Sequence, residues 1–209
     1  MSDIKDTYKT LAKTSEGYFR DKGSKFYAFA YPVNSEKDIK DILNELKKQY
    51  YDARHHCYAY RLGIENDERY RINEDGEPSG SAAKPIYGQI LSHEITNVLI
   101  VVIRYFGGIK LGVPGLINAY KTASKEAIDN NEIVERILYE NCRIEYKYDN
   151  INSVMRIIKD EELNISNQEY IDDKIITTIE IRKSKIGSIK EKFSSIYNVN
   201  FFDNDDISA

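Results

Sequence analysis

The run Val98 to Ile103 is the longest purely aliphatic stretch in the chain, and turn residues bound it on both sides. A short continuous run of this kind predicts a central strand covered on both faces. It is expected to span Asn97 to Tyr105. Elsewhere the pattern alternates or repeats at helical spacing. Tyr18 to Tyr31 reads as extended chain interrupted by a loop at Asp21-Lys22-Gly23-Ser24, and Ala53 to Leu62 reads as a strand. Ser35 is a candidate N-cap for a helix carrying Ile39, Ile42, Leu43 and Leu46 as its apolar stripe, to about Tyr50. Gly63 to Arg69 reads as a polar, hairpin-like connection. Asn73 to Pro78 is a strongly punctuated turn. Pro78 fits the first turn of a short helix reaching about Leu91, with a break or restart at Pro85. A further helix is expected from Leu116 to about Asn130.

After about residue 135 the pattern changes. Tyr139–Tyr148 alternates, Ile151–Glu162 is helical with Val154, Ile157, Ile158 and Met155 as its inward positions, and Leu163–Ile171 and Lys174–Arg182 are strands joined at Asp172-Asp173. Ser184–Ile196 is helical and Val199–Phe202 is a last strand. The order is βαββαβ, that of a ferredoxin-like domain. Two domains are therefore expected, residues 1–135 and 136–209, in an α+β chain. The 209 residues allow a separate core in each. The tail from Asp203 is polar and expected to fray.

Composition narrows the setting. No apolar run has membrane-spanning length, and the N-terminus lacks the apolar core of a secretory signal. The two cysteines, Cys57 and Cys142, have no framework spacing, which predicts free thiols and a cytoplasmic location. The net charge of −4 argues against bulk non-specific binding to nucleic acid. Residues 1–135 carry 19 basic against 20 acidic side chains, and residues 136–209 carry 11 against 14. The first domain is thus the better partner for a polyanion.

Four constellations could carry chemistry. The segment Arg104-Tyr105-Phe106-Gly107-Gly108-Ile109-Lys110-Leu111-Gly112 leaves the buried strand directly. Its glycines permit sharp turns and close approach, and the helix expected to open near Gly115 offers unpaired N–H groups to an anion. The spacing is neither a Walker A loop nor GxGxxG, so the segment is either an anion site or a plain connector. Asp75 and Glu77, with Glu74, could bind a metal or share acid–base work, although turn and cap roles explain them more simply. Arg54-His55-His56-Cys57 invites a zinc or nucleophile reading, but neighbouring residues on a strand face opposite ways, no further ligand spacing follows, and a Cys–His pair needs an orienting third group. Cys57 reads as a buried packing residue, with Arg54 and His55 as surface contacts. No metal or cofactor is expected. Lys22, Ser24 and Lys25 beside Tyr18, Phe19 and Phe26 form either a small basic-aromatic patch or a solvated hairpin.

Four segments together resemble the Impact/YigZ family: DKGSKFYAFA at 21–30, DARHHCYAYRLG at 52–63, NEDGEPSGSAAKPIYGQI at 73–90 and NVLIVVIRYFGGIKLGVPGLINAY at 97–120. The resemblance covers most of residues 15–130. It implies a first domain like domain 2 of ribosomal protein S5 and a ferredoxin-like second domain, a pair similar to the last two domains of translocation elongation factor G. It also implies a role in translational control with RNA or the ribosome as partner, no membrane, and no settled enzymatic activity. Eukaryotic relatives carry an extra N-terminal RWD domain. This chain begins almost at the family domain, so the RWD-mediated partner is not expected. The chain departs from the family pattern at Glu74 (usually Asp), at Ser81-Ala82-Ala83 (usually Thr-Ala-Gly), at Pro114 (usually Gly) and at Asn118 (usually Arg). The last change removes a cation from the helix after the glycine loop.

The leading expectation is a non-enzymatic RNA- or ribosome-binding protein linked to regulation of translation. Arg54, His55, Arg104, Lys110 and Lys121 would supply polar and cationic contacts. Gly107, Gly108, Gly112 and Gly115 would allow close backbone approach, with Asp75, Glu77 and Tyr105 on the same surface. The alternatives are a hydrolase-type enzyme centred on Asp75, Glu77 and His55, and a protein-interaction module using the second domain's exposed sheet. Convergence of those three side chains in one pocket would separate the enzyme from the binding protein.

Overall fold

The computed structural model describes residues 6–64 and 67–203, a mixed α/β chain. It divides into two compact units, residues 8–136 and residues 1–7 with 137–209. The boundaries after Thr7 and after Arg136 fall within β1 (Thr7–Leu11) and β7 (Ile133–Ile137), which pair as a two-stranded ribbon. Neither strand carries an alternating apolar pattern, and neither was expected from the sequence.

The unit of residues 8–136 is built on five strands: β2 (Ser15–Asp21), β3 (Ser24–Pro32), β4 (His55–Leu62), β5 (Arg69–Asn73) and β6 (Val98–Tyr105). Their order is β2-β3-β6-β4-β5, antiparallel throughout, so β6 is central. Residues Val98 to Ile103 are all fully buried because helices cover both faces. Val98, Ile100 and Val102 meet α2 (Ala83–Ser92) and α3 (Gly112–Asp129) through a core with Ile86, Ala119 and Ala123. Leu99, Val101 and Ile103 pack with Ile39 and Leu46 of α1 (Glu36–Gln49) on the other face. Burial contributes about 1.5–3 kcal/mol for each such aliphatic side chain. The α1 start follows the expected rule: the Ser35 hydroxyl accepts the Asp38 N–H at 3.1 Å.

Both α2 and α3 begin differently from expectation. Helix α2 starts at Ala83, so it is Pro85, not Pro78, that occupies the first turn, and Pro85 causes no break. Helix α3 starts at Gly112, four residues before the expected Leu116, with Pro114 as its third residue. In both helices the proline falls where the N–H has no intrahelical acceptor in any case. Close approach of α3 to β2 depends on Gly17, where an added Cβ would meet the Ala127 backbone nitrogen at 2.4 Å.

In the other unit β8 (Tyr139–Lys147), α4 (Ile151–Asp160), β9 (Asn164–Ile171), β10 (Lys174–Arg182), α5 (Ile186–Ser194) and β11 (Val199–Phe202) follow in that order. The sheet runs β11-β8-β10-β9, and its pairs are antiparallel. Cys142, Ile144 and Tyr146 alternate onto the core with Val154, Ile158, Ile189 and Phe193. Met155, expected inward, is exposed because Val154 and Ile158 hold the inward stripe. Asp6 is tied into this unit: its carboxylate accepts from Arg182 Nε at 2.5 Å and Nη2 at 3.0 Å. The Arg182 guanidinium, followed by the Ser184 bond, holds the Asp6 carboxyl well below its ordinary range.

Gly17→Ala should lower stability by about 1–3 kcal/mol through forced separation of α3 from β2. Gly88→Ala, in α2 with nothing within 4 Å of the added Cβ, should raise it by about 0.5–1 kcal/mol. Urea unfolding of the two variants reads both signs; equal effects would contradict the packing described.

Candidate functional site

A pocket of about 450 Å³ opens where β4, β6 and α3 meet the turn after β5. Arg54, His55, Gly76, Glu77, Arg104, Lys110 and Gly112 line it, with Pro78, Phe106, Leu111, Val113 and Leu116 as its carbon-rich walls. The alternation of the sheet places its polar groups. His55 follows the register of Cys57 and Ala59, and Arg104 that of Ile100 and Val102, so both project to the side of α2 and α3.

The floor is a buried ion pair. Arg104 Nη1 donates to Glu77 Oε1 at 2.5 Å, with both side chains under a tenth exposed. The Tyr120 hydroxyl donates to the same oxygen at 2.9 Å, and Cys57 Sγ lies 3.4 Å from that hydroxyl. The Arg104 guanidinium carbon sits 5.5 Å from the centre of the Phe26 ring and 5.6 Å from that of Phe106. Its Nε is buried with no acceptor among the described residues. Cation–π attraction offsets part of that loss. Burial, above all, pushes the Tyr120 hydroxyl and the Cys57 thiol far up, so both stay protonated. Cys57 is a packing residue with an inert thiol.

The turn Asn73 to Pro78 sorts three carboxylates to three destinations. Glu74 caps α2: its Oε2 accepts the Ala82 and Ala83 N–H groups at 2.9 and 2.8 Å, and its Oε1 accepts that of Gly80 at 2.9 Å. Asp75 and Gly76 adopt left-handed backbone, φ 43° and 86°. That conformation turns the Asp75 carboxylate to the His56 N–H, 2.7 Å away, and out of the pocket. Glu77 alone enters the floor. The Asp75 carbonyl accepts from His55 Nδ1 at 2.8 Å. A carbonyl only accepts, so Nδ1 carries a hydrogen, and the other ring nitrogen, Nε2, lies 3.8 Å from Glu77 Oε1.

Of the residues singled out from the sequence, Arg54, His55, Glu77, Arg104, Lys110 and Gly112 come together here. The others lie elsewhere. Tyr105 projects to the α1 side, where its hydroxyl donates to Asp52 at 2.7 Å and is pushed up to about 12, chiefly by desolvation. Gly107 packs on the β2–β3 turn: a Cβ there would lie 1.9 Å from the Gly23 carbonyl carbon, and its N–H donates to the buried Ser24 hydroxyl. Gly108 is in open space at φ 89°, and Gly115 lies inside the first turn of α3 against Leu111. Lys121 is exposed on α3 away from the lining. Phe106, Pro78 and Val113 were not foreseen as pocket walls, nor Tyr120 as a partner of Glu77. Tyr120 lies on the buried face of α3, four residues after Leu116.

The rim differs from the floor. Arg54 and Lys110 are exposed and have no acidic partner among the described residues. Phe106 is 48% exposed beside them. Among the described residues no side chain caps the α3 N-terminus, in contrast to α2 with Glu74. Among the described residues no group of three His, Cys, Asp or Glu side chains is arranged to hold a metal ion.

The profile of the Impact N-terminal domain matches residues 22–128, which include every residue of this pocket. The chain is also 30% identical over 177 residues to IMPACT family member YvyE of Bacillus subtilis, covering 80% of this chain and 81% of that one. The chain belongs to the IMPACT family. IMPACT family member YigZ of Escherichia coli is 27% identical over 150 residues, 71% of this chain and 74% of that one. A hypothetical protein of known crystal structure shares the fold at a TM-score of 0.74 and 21% identity, covering 95% and 98% of the two chains. No helix among the described residues is long and apolar enough to cross a membrane. The pocket of this IMPACT family member thus has a neutral, hydrogen-bonded floor, apolar walls and a cationic rim.

Removing one partner of the floor pair leaves a buried charge alone. Glu77→Ala should therefore cost about 3–5 kcal/mol. The double variant Glu77→Leu/Arg104→Met should unfold at a higher denaturant concentration than Glu77→Ala. Chemical denaturation compares them, and equal stability of Glu77→Ala and the parent protein would overturn the assignment.

Proposed function

We propose that this protein is a non-enzymatic RNA-binding protein that acts in the regulation of translation, on the ribosome or on RNA bound for it. One observation carries the reading: two unpaired cations, an exposed aromatic ring and an uncapped helix N-terminus share one pocket rim. Phosphate meets Arg54, Lys110 and the first N–H groups of α3, and a base lies against Phe106. The neutral floor adds no competing charge, since Arg104 is already matched by Glu77.

The architecture favours the same partner. The strand order β11-β8-β10-β9 with its βαββαβ succession is the pattern of a ferredoxin-like domain. We read residues 8–136 as related to domain 2 of ribosomal protein S5, a pair of modules suited to ribosomal RNA. The enzyme alternative has less support. It asks Asp75, Glu77 and His55 to act together, yet the Asp75 carboxylate faces the His56 N–H and Glu77 Oε1 is engaged by Arg104 and Tyr120.

The test is binding of the purified protein to ribosomal particles and to single-stranded RNA across a salt series. Affinity should fall steeply as salt rises. In Arg54→Ala/Lys110→Ala the logarithmic salt slope should shrink by about 2, one for each phosphate no longer neutralised. Phe106→Ala should weaken binding by about 1–3 kcal/mol with the slope unchanged. Absence of salt-sensitive binding to either partner would overturn the proposal.

A further inference from the structure

Strand β5 lies at the edge of its sheet, with β4 as its one neighbour among the described residues. Four of its five residues are exposed. Half of its backbone donors and acceptors therefore point away from the sheet. The two faces of this edge differ in chemistry. Arg69 and Arg71 stand opposite Leu62 and Tyr60, on the α1 side. There α1 leaves a groove of about 300 Å³ in which Lys40 and Lys47 face Arg71 across a floor of Tyr58 and Tyr60. Glu36 is the one acid lining it, and neither Lys40, Lys47 nor Arg71 has an acidic partner among the described residues. On the opposite face Ile72 is 39% and Tyr70 60% exposed, with Tyr70 stacked on Tyr87 of α2 at 4.8 Å.

We propose that the β5 edge is a docking site for an extended acidic peptide, which joins the sheet as a further strand. Its main chain pairs with the outer edge of β5. Successive side chains of a strand face opposite ways, so its acidic residues, at every second position, lie over Arg71, Lys40 and Lys47. The residues between them are apolar and cover Ile72 and the Tyr70–Tyr87 stack. A second copy of this chain is a poor occupant, because edge-to-edge pairing sets arginines of β5 against one another. An RNA strand would use the cations but leave the open backbone edge and the apolar face without a role. This site is separate from the pocket at Arg54 and Lys110.

Fluorescence anisotropy of the full chain with a labelled, end-blocked alternating Glu-Val peptide about eight residues long tests the proposal. Micromolar, salt-weakened binding is expected, unchanged in Arg54→Ala/Lys110→Ala. Arg71→Glu and Lys40→Glu should each weaken it about tenfold by placing like charges together. N-methylation of the peptide at every second residue should abolish binding in one phase of the alternation and spare it in the other. Equal binding of a block peptide of the same composition would reduce the site to a charged patch and overturn strand addition. Failure of the alternating peptide to bind, or tighter binding of a single-stranded oligonucleotide that Arg71→Glu abolishes, would overturn it as well.

Discussion

The contact between Glu77 and Arg104 ties the end of the central strand to the turn after β5. Arg104 is the last buried residue of the central strand, and Glu77 belongs to a turn after an exposed edge strand. A charge buried without its counterion is too costly to persist, so each side chain fixes the place of the other. Tyr120 adds α3 to the junction, and Phe26 and Phe106 close over the guanidinium. Strand, turn and helix must all be in register for this cluster to form. The pocket is the space left above it.

Around that junction the backbone of one turn divides labour among three acids. Glu74 satisfies the start of α2, Asp75 reaches back to β4, and Glu77 enters the core. The left-handed backbone at Asp75 and Gly76 produces this separation, because it reverses the chain between side chains that would otherwise share one side. The result for α3 is the opposite of that for α2. The start of α2 is capped by Glu74 from the turn, and the start of α3, beside exposed cations, meets no capping side chain among the described residues.

Much of this was legible from the sequence. The apolar run of β6 and the serine-capped stripe of α1 announce themselves through burial on two faces and helical periodicity. The starts of α2 and α3 are displaced from expectation because Pro85 and the Gly112–Gly115 run signal breaks, whereas a first helical turn tolerates both. The period-2 rule that separates His55 from His56 also separates Arg104 from Tyr105, so the absence of Tyr105 from the pocket was available in advance. The destinations of Glu74, Asp75 and Glu77 were not. They depend on which residues of β4, α2 and β6 arrive beside the turn, and only the tertiary register decides that. Strand β5 was missed although Arg69-Tyr70-Arg71-Ile72-Asn73 alternates, because five residues between a polar connection and a strong turn signal carry too short a period.

The separation of a matched floor from an unmatched rim makes this pocket easy to retune. Substitutions at Arg54 or Lys110 change the field at the mouth while leaving the buried pair intact, and exposed positions of this kind alter stability little. The charge at the mouth can thus change while the fold is kept. The Glu77–Arg104 junction stays the fixed point beneath such changes.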